Sequence, residues 1–281
     1  MKCISSSLVG RFLGTPTVIN ISESGVTAEA ENRLINIPWE ALITPPIFQL
    51  SFFGYIFSIK TADKSYTFAM LTYHAKRRHK NHCDRLWASA NINRVETLLT
   101  AIKKVTVTRY LRQSHVKHIQ LAVNQELKRW PCLFKSSNAP PIIYEKLQGL
   151  SHYQQWQKQD IHDCRERYIK HQLNKHQVFF EHVESNPLTL RQRRACIIDN
   201  DNNLLLAGAG TGKTSVMVGR TGYLLNSQQA THENILLLAY GRKAANEMDE
   251  RIRDKLSTDK ISATTFHRLG LNIIAQVEGK K

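Results

Sequence analysis

No stretch of the sequence holds about 18 consecutive apolar residues, the length a helix needs to cross a bilayer, so no membrane partner is expected. A secretory leader is lacking too. Met1-Lys2-Cys3-Ile4-Ser5-Ser6-Ser7 has one positive charge and no apolar segment behind it, which reads as a cytoplasmic start. Cysteine is sparse: Cys3, Cys83, Cys132, Cys164 and Cys196 are odd in number, widely spaced and form no C-x-x-C pair. That excludes a disulfide framework and a zinc site built mainly on cysteine. Acidic residues are the scarcest class relative to expectation, with 23 Asp and Glu against 39 Lys and Arg, a net charge of +16.

The basic excess is concentrated. Residues 71–130 hold 13 Lys and Arg against only Asp84, Glu96 and Glu126, a net of +10. Such a block attracts polyanions, because each phosphate contact releases condensed counterions. A solvated basic helix face is the blander reading. Charge alone does not separate nucleic acid from an acidic membrane or an acidic protein. Within the same block, His79 and Cys83 stand at i, i+4, near His74 and His82. No complementary pair lies at a fixed distance, so solvated or helix-packing roles are expected rather than a metal.

With 281 residues and 42% hydrophobic residues, the chain can fill more than one core. Three regions differ in pattern. Residues 1–90 read as β-rich, with alternating runs at Thr17–Ser22, Gly25–Glu29, Arg33–Ile37, Phe48–Phe53, Tyr55–Lys60 and Tyr66–Met70. A helix from near Thr72, with Tyr73, Ala75, Cys83, Leu86 and Trp87 inward, would close a small module of pleckstrin-homology-like type. Residues 91–185 read as a helical hairpin or linker region, including a long polar helix over about Tyr144–Val183. Residues 186–281 alternate strand and helix, the signature of a parallel α/β sheet. The expected fold class is therefore multi-domain, α+β followed by α/β.

The third region contains Leu204-Leu205-Leu206-Ala207-Gly208-Ala209-Gly210-Thr211-Gly212-Lys213-Thr214-Ser215. An apolar strand is expected to run into a glycine-rich turn that opens a helix. Glycines let backbone N–H groups converge without a Cβ clash, and the helix N-terminus adds positive potential. Lys213 would reach β- and γ-phosphates, and the Thr214 hydroxyl would ligate Mg²⁺. ATP and Mg²⁺ are the expected cofactors, held by Ala207–Ser215. Ala207 departs from the strict pattern, which begins with glycine.

Flanking segments make the loop more specific. Leu188-Thr189-Leu190-Arg191-Gln192, upstream, resembles the glutamine motif of UvrD-like superfamily 1 DNA helicases. Ile235–Met248, with Ala239-Tyr240-Gly241-Arg242-Lys243 at its centre, resembles motif Ia, although the family commonly shows Thr-Phe-Thr-Asn-Lys there. Thr264-Thr265-Phe266-His267 resembles motif Ib. The resemblance covers residues 186–275 and implies a partial RecA-like motor domain. It also implies that Gln192 reads adenine, that Tyr240 stacks a base of single-stranded DNA, and that Arg242, Lys243, Thr265, Phe266 and His267 contact DNA. The implied activity is 3′-to-5′ ATP-dependent unwinding, with single-stranded or partly duplex DNA as partner.

In that family, hydrolysis uses an apolar strand ending in Asp-Glu and arginines from a second motor domain. No such strand follows Thr214. Asp249-Glu250 is the nearest acidic pair and reads as a solvated helix face. The sequence is therefore expected to be part of a motor, binding ATP without turning it over, with the later motifs as its missing partner. About three parallel strands would leave apolar edges uncovered, so residues 186–281 are expected to be marginally stable or aggregation-prone. A non-catalytic nucleic-acid-binding module with a vestigial nucleotide site is the alternative.

Overall fold

The computed structural model describes residues 2–7, 17–30, 33–72, 76–130, 140–208 and 210–279. The chain divides into two compact units: residues 1–104 with 116–157, and residues 105–115 with 158–281. Tyr73, His74, Ala75, Cys132 and Ala209 lie outside the described residues.

Among the described residues, seven strands belong to the first unit. β1 (Lys2–Ser5), β2 (Thr17–Ile21), β3 (Gly25–Ala30) and β4 (Arg33–Pro38) form one antiparallel sheet in chain order. β5 (Ile47–Ser51), β6 (Gly54–Lys60) and β7 (Ser65–Leu71) form another. Alternation drives both: Ile19, Ile21, Val26 and Ala28 are buried from one sheet, Phe48, Phe57, Ile59 and Phe68 from the other. Strand β1 has no alternating signature, because Ile4 is its one large aliphatic residue; pairing with β2 across Ile4 and Ile19 secures it.

Helix α1 (Lys76–Thr108) closes this unit with Cys83, Trp87, Asn91 and Val95 buried. Trp87 Nε1 donates to the Leu42 carbonyl at 3.1 Å, and Asn91 Nδ2 donates to the Trp39 carbonyl at 3.1 Å. His79 and His82 are half-buried on the same helix. The helix runs without interruption through residues 90 and 91, where the sequence pattern changes. Helices α2 (Gln113–Leu127) and α3 (Pro141–Gln154) follow. Trp130 meets Trp87 edge-on at 4.6 Å and donates its Nε1 to the Glu126 carboxylate at 3.1 Å.

The polar stretch 144–183 is not one helix. It is split between α3, α4 (Lys158–Lys175) and α5 (Gln177–His182). Trp156 and His176, at or beside the breaks, are both buried, so core packing overrides helical continuity.

The second unit continues with α6 (Leu190–Ile197), α7 (Lys213–Asn226), β8 (Leu237–Ala239), α8 (Arg242–Leu256), β9 (Ala263–Thr265) and α9 (Phe266–Glu278). β8 and β9 pair in parallel, Leu237 with Ala263 through Ala239 with Thr265. Phe180, Cys196, Val218, Tyr223 and Ile252 form the centre of its core. Asp199 ties the helices together: its carboxylate accepts from Arg112 Nε at 3.0 Å and from Arg220 Nη2 at 2.8 Å. The expected strand Leu204–Leu206 is not formed. These leucines are 84%, 42% and 83% exposed and pair with no strand. A strand needs a ladder partner for its backbone groups, and the two three-residue strands here do not supply one.

Candidate functional site

Thr189 is the N-cap of α6 and forms a capping box with Gln192. Thr189 N–H and Oγ1 both donate to Gln192 Oε1, at 2.8 and 3.0 Å. Gln192 Nε2 donates in turn to the Thr211 carbonyl at 3.2 Å. The glutamine expected to read adenine is therefore in contact with the phosphate loop. In this arrangement both lone-pair positions of its amide oxygen are taken by Thr189. Helix α6 is anchored from behind by Arg194, whose two Nη atoms meet the Glu166 carboxylate at 2.7 and 2.9 Å. That guanidinium holds the Glu166 carboxyl below the usual carboxylate range.

Gly210 has φ +74° and Gly212 φ +85°, and Gly212 is the N-cap of α7. A Cβ on Gly212 would lie 2.6 Å from Gln192 Nε2, so glycine is required both for conformation and for the approach of Gln192. Lys213 folds back over the loop, donating to the carbonyls of Ala207 at 3.0 Å and Gly208 at 2.6 Å. These neutral carbonyls are weaker partners for an ammonium than charged phosphate oxygens. Thr211 Oγ1 donates to the Gly208 carbonyl at 2.8 Å, tightening the turn. Thr214 is half-buried in the first turn of α7. A phosphate chain with Mg²⁺ fits this donor set: a helix N-terminus, two left-handed glycines, an exposed ammonium and a hydroxyl.

Ser215, next in the chain, is linked elsewhere. Its Oγ accepts from Arg251 Nη2 at 3.0 Å, and the same guanidinium meets the buried Glu184 carboxylate at 3.0 Å. Arg251 lies on α8, so one side chain joins the loop's helix to the helix that opens the second site.

That second site is an open cavity of about 600 Å³ at the C-terminal ends of β8 and β9. Ligands of parallel sheets sit beyond the carboxyl ends of the strands. Tyr240, Arg242, Thr265 and His267 all line it, together with Asn246, Asp249 and Arg268. Tyr240 is fully exposed, presenting an uncovered ring. Lys243 and Phe266 are exposed beside it and do not line it. Thr265 Oγ1 caps α9 by accepting from Arg268 N–H at 3.3 Å.

Asp249 corrects an expectation. Its carboxylate accepts from the Ala263 N–H and thereby holds β9 against α8, while Glu250 is exposed. The signal was present: Ala245, Asp249 and Ile252 follow helical spacing on one face, and Ala245 and Ile252 are buried. Arg251 and Glu184, 67 residues apart, carry no comparable sequence signal. Among the described residues no group of three or more His, Cys, Asp or Glu is placed to hold a metal.

The UvrD/REP helicase N-terminal domain matches residues 188–280. DNA helicase IV of Escherichia coli (strain K12) is 51% identical over 127 residues, 44% of this chain and 18% of that protein. ATP-dependent DNA helicase Rep of Buchnera aphidicola subsp. Acyrthosiphon pisum (strain APS) is 41% identical over 90 residues, 31% of this chain and 14% of that protein. DNA helicase II of Rickettsia typhi (strain ATCC VR-144 / Wilmington) is 36% identical over 87 residues, 31% of this chain and 13% of that protein. The chain thus spans less than a fifth of the length of each of these relatives. Over residues 188–280 the chain is therefore similar to the N-terminal domain of UvrD/REP helicases, and it resembles a fragment of a UvrD-like helicase.

Proposed function

We propose that the second unit is the nucleotide- and DNA-binding part of an ATP-dependent 3′-to-5′ DNA helicase, with a partial RecA-like arrangement around β8 and β9. The observation that carries this reading is the convergence of Tyr240, Arg242, Thr265 and His267, from two separate segments, on one cavity. Gln192 contacts the phosphate loop in the same unit. Lys213 exchanges its carbonyl partners for the β- and γ-phosphates of ATP, while the N–H groups at the start of α7 meet phosphate oxygens. Mg²⁺, when bound, would neutralise phosphate charge, with the Thr214 hydroxyl as its protein ligand. Tyr240 stacks on an unpaired base, and Arg242, Lys243 and His267 neutralise neighbouring phosphates. Phe266, exposed at the start of α9, supplies a further apolar contact.

The sequence holds no Asp-Glu strand beside the loop, so these 281 residues alone are expected to bind ATP without turnover. The later motor motifs are the partner needed for unwinding. Two sheets of four and three strands followed by a closing helix also support a pleckstrin-homology-like reading of the first unit.

Fluorescence anisotropy with labelled oligo(dT) tests the DNA site. Tyr240→Ala should weaken binding by roughly fivefold to a hundredfold, the range for losing one stacked base. Unchanged affinity would remove the cavity from the DNA path. The alternative, a binding module with a vestigial nucleotide site, predicts DNA binding that is insensitive to both ATP and Lys213→Ala.

A further inference from the structure

The first unit carries an exposed aromatic tip that its fold does not explain. β5 and β6 are joined by Phe52 and Phe53 alone, since Ser51 pairs with Gly54. Two-residue hairpin turns normally use Gly, Asn or Asp, which tolerate the backbone and stay hydrated. Here Phe52 is 93% exposed and Phe53 51%, with ring centroids 5.5 Å apart at 69°. Leu50, just before them, is 71% exposed. Isolated exposed apolar residues are ordinary, but three within four positions at a protruding turn mark a contact surface.

The same end of the unit carries strong positive charge. Ser7 Oγ donates to the Phe53 carbonyl at 3.1 Å, and Ser7 N–H donates to the Met70 carbonyl at 2.7 Å. A Cβ on Gly54 would lie 2.3 Å from the Leu71 carbonyl, so the turn is pressed against the end of β7. Helix α1 starts at Lys76, four residues after Thr72, a reach of at most about 14 Å. It opens with Lys76-Arg77-Arg78-His79-Lys80 and no acidic residue in its first turn. Lys80 is paired with Asp84, whereas Arg77 and Arg78 are exposed.

We propose that this end of the first unit is a second contact for single-stranded nucleic acid, separate from the cavity at β8 and β9. Phe52 and Phe53 stack on unpaired bases. Arg77 and Arg78 take flanking phosphates. Exposed aromatic rings and exposed guanidinium groups on one unit match the chemistry of a single strand, which offers a π-face and a charge at every residue. The site is sequence-tolerant, because nothing in it reads a base edge.

The test uses the full chain and labelled oligo(dT), in both the unmodified and the Tyr240→Ala backgrounds. Phe52→Ala with Phe53→Ala should weaken binding at least fivefold in each background and leave the salt dependence unchanged. Arg77→Ala with Arg78→Ala should weaken binding and lower the slope of log K against log salt by about 1.4, two single-strand phosphate contacts. All four positions are exposed, so the unfolding midpoint should stay put in each variant. Affinities within twofold of the parent for both pairs would overturn the proposal. It would equally be overturned if the Phe pair left DNA binding intact but abolished binding to phosphatidylserine vesicles. Loss with Tyr240→Ala alone, and none with the Phe or Arg pairs, would uphold the cavity and sink this second contact.

Discussion

At the scale of single residues, charge placement dominates both sites. Lys213 is held by two carbonyls of its own loop, which keeps the ammonium over the glycine-rich turn. Arg251 does structural work that the motif pattern does not announce. Glu184 is buried, with its side chain 5% exposed and its Oε1 atom without a partner, so the guanidinium is its main compensation. Arg251→Ala should therefore cost about 1–3 kcal/mol, a figure kept low because Arg251 itself is partly exposed. Chemical denaturation checks this, and an unchanged midpoint would show that Glu184 needs no partner. Glu166 gives a pH signature. Its folded carboxyl titrates below the usual range because of Arg194, so its contribution is complete above about pH 4.3. That contribution is lost as pH falls through the lower folded value. Glu166→Gln should flatten the acid limb of the chain's stability below about pH 4.3, measured by the urea midpoint. An identical acid limb in both proteins would remove the pair from the account.

At the scale of elements, the legible parts were those whose information is local. Alternation marked β2, because Ile19 and Ile21 point inward, and the 3.6-residue period marked α8. The glycines before α7 were written in a few adjacent residues, whereas the cap at Thr189 appears only in the structure. Strand β1 was not legible, because one isoleucine carries no period. Leu204–Leu206 read as a strand and is not one, since strand formation depends on neighbours that no local pattern encodes. The same holds for the site. Gln192, Tyr240 and Thr265 were readable through their motifs, whereas the Arg251–Glu184 bridge depends on the fold bringing distant segments together. Gly212 concentrates the local constraints, with a left-handed backbone and a Cβ position occupied by the amide end of Gln192. Gly212→Ala should destabilise the second unit by about 1–2 kcal/mol and displace Gln192 from Thr211. A variant with parental stability and nucleotide affinity would show that the loop relaxes freely.

At the scale of the whole molecule, the two units differ in how they manage apolar surface. The first buries Trp39, Trp87, Trp130 and one face of each sheet, leaving the Phe52-Phe53 tip exposed. The second leaves Leu204, Leu206, Leu236, Leu271, Ile274 and Val277 at least half exposed, around a sheet of only two short strands. Such a band favours self-association. Leu204→Ser with Leu206→Ser should reduce concentration-dependent light scattering while shifting the unfolding midpoint little, because the parent leucines contribute little burial. Scattering that persists unchanged would place association elsewhere. The central proposal, that the loop at Ala207–Ser215 binds ATP, is tested most directly by titration calorimetry. The full chain is titrated with a non-hydrolysable ATP analogue and Mg²⁺, alongside Lys213→Ala. The account predicts one site per chain in the parent and at least tenfold weaker binding in the variant, the loss of a charge-assisted phosphate contact. Equal binding by both proteins, or none by the parent, would contradict it.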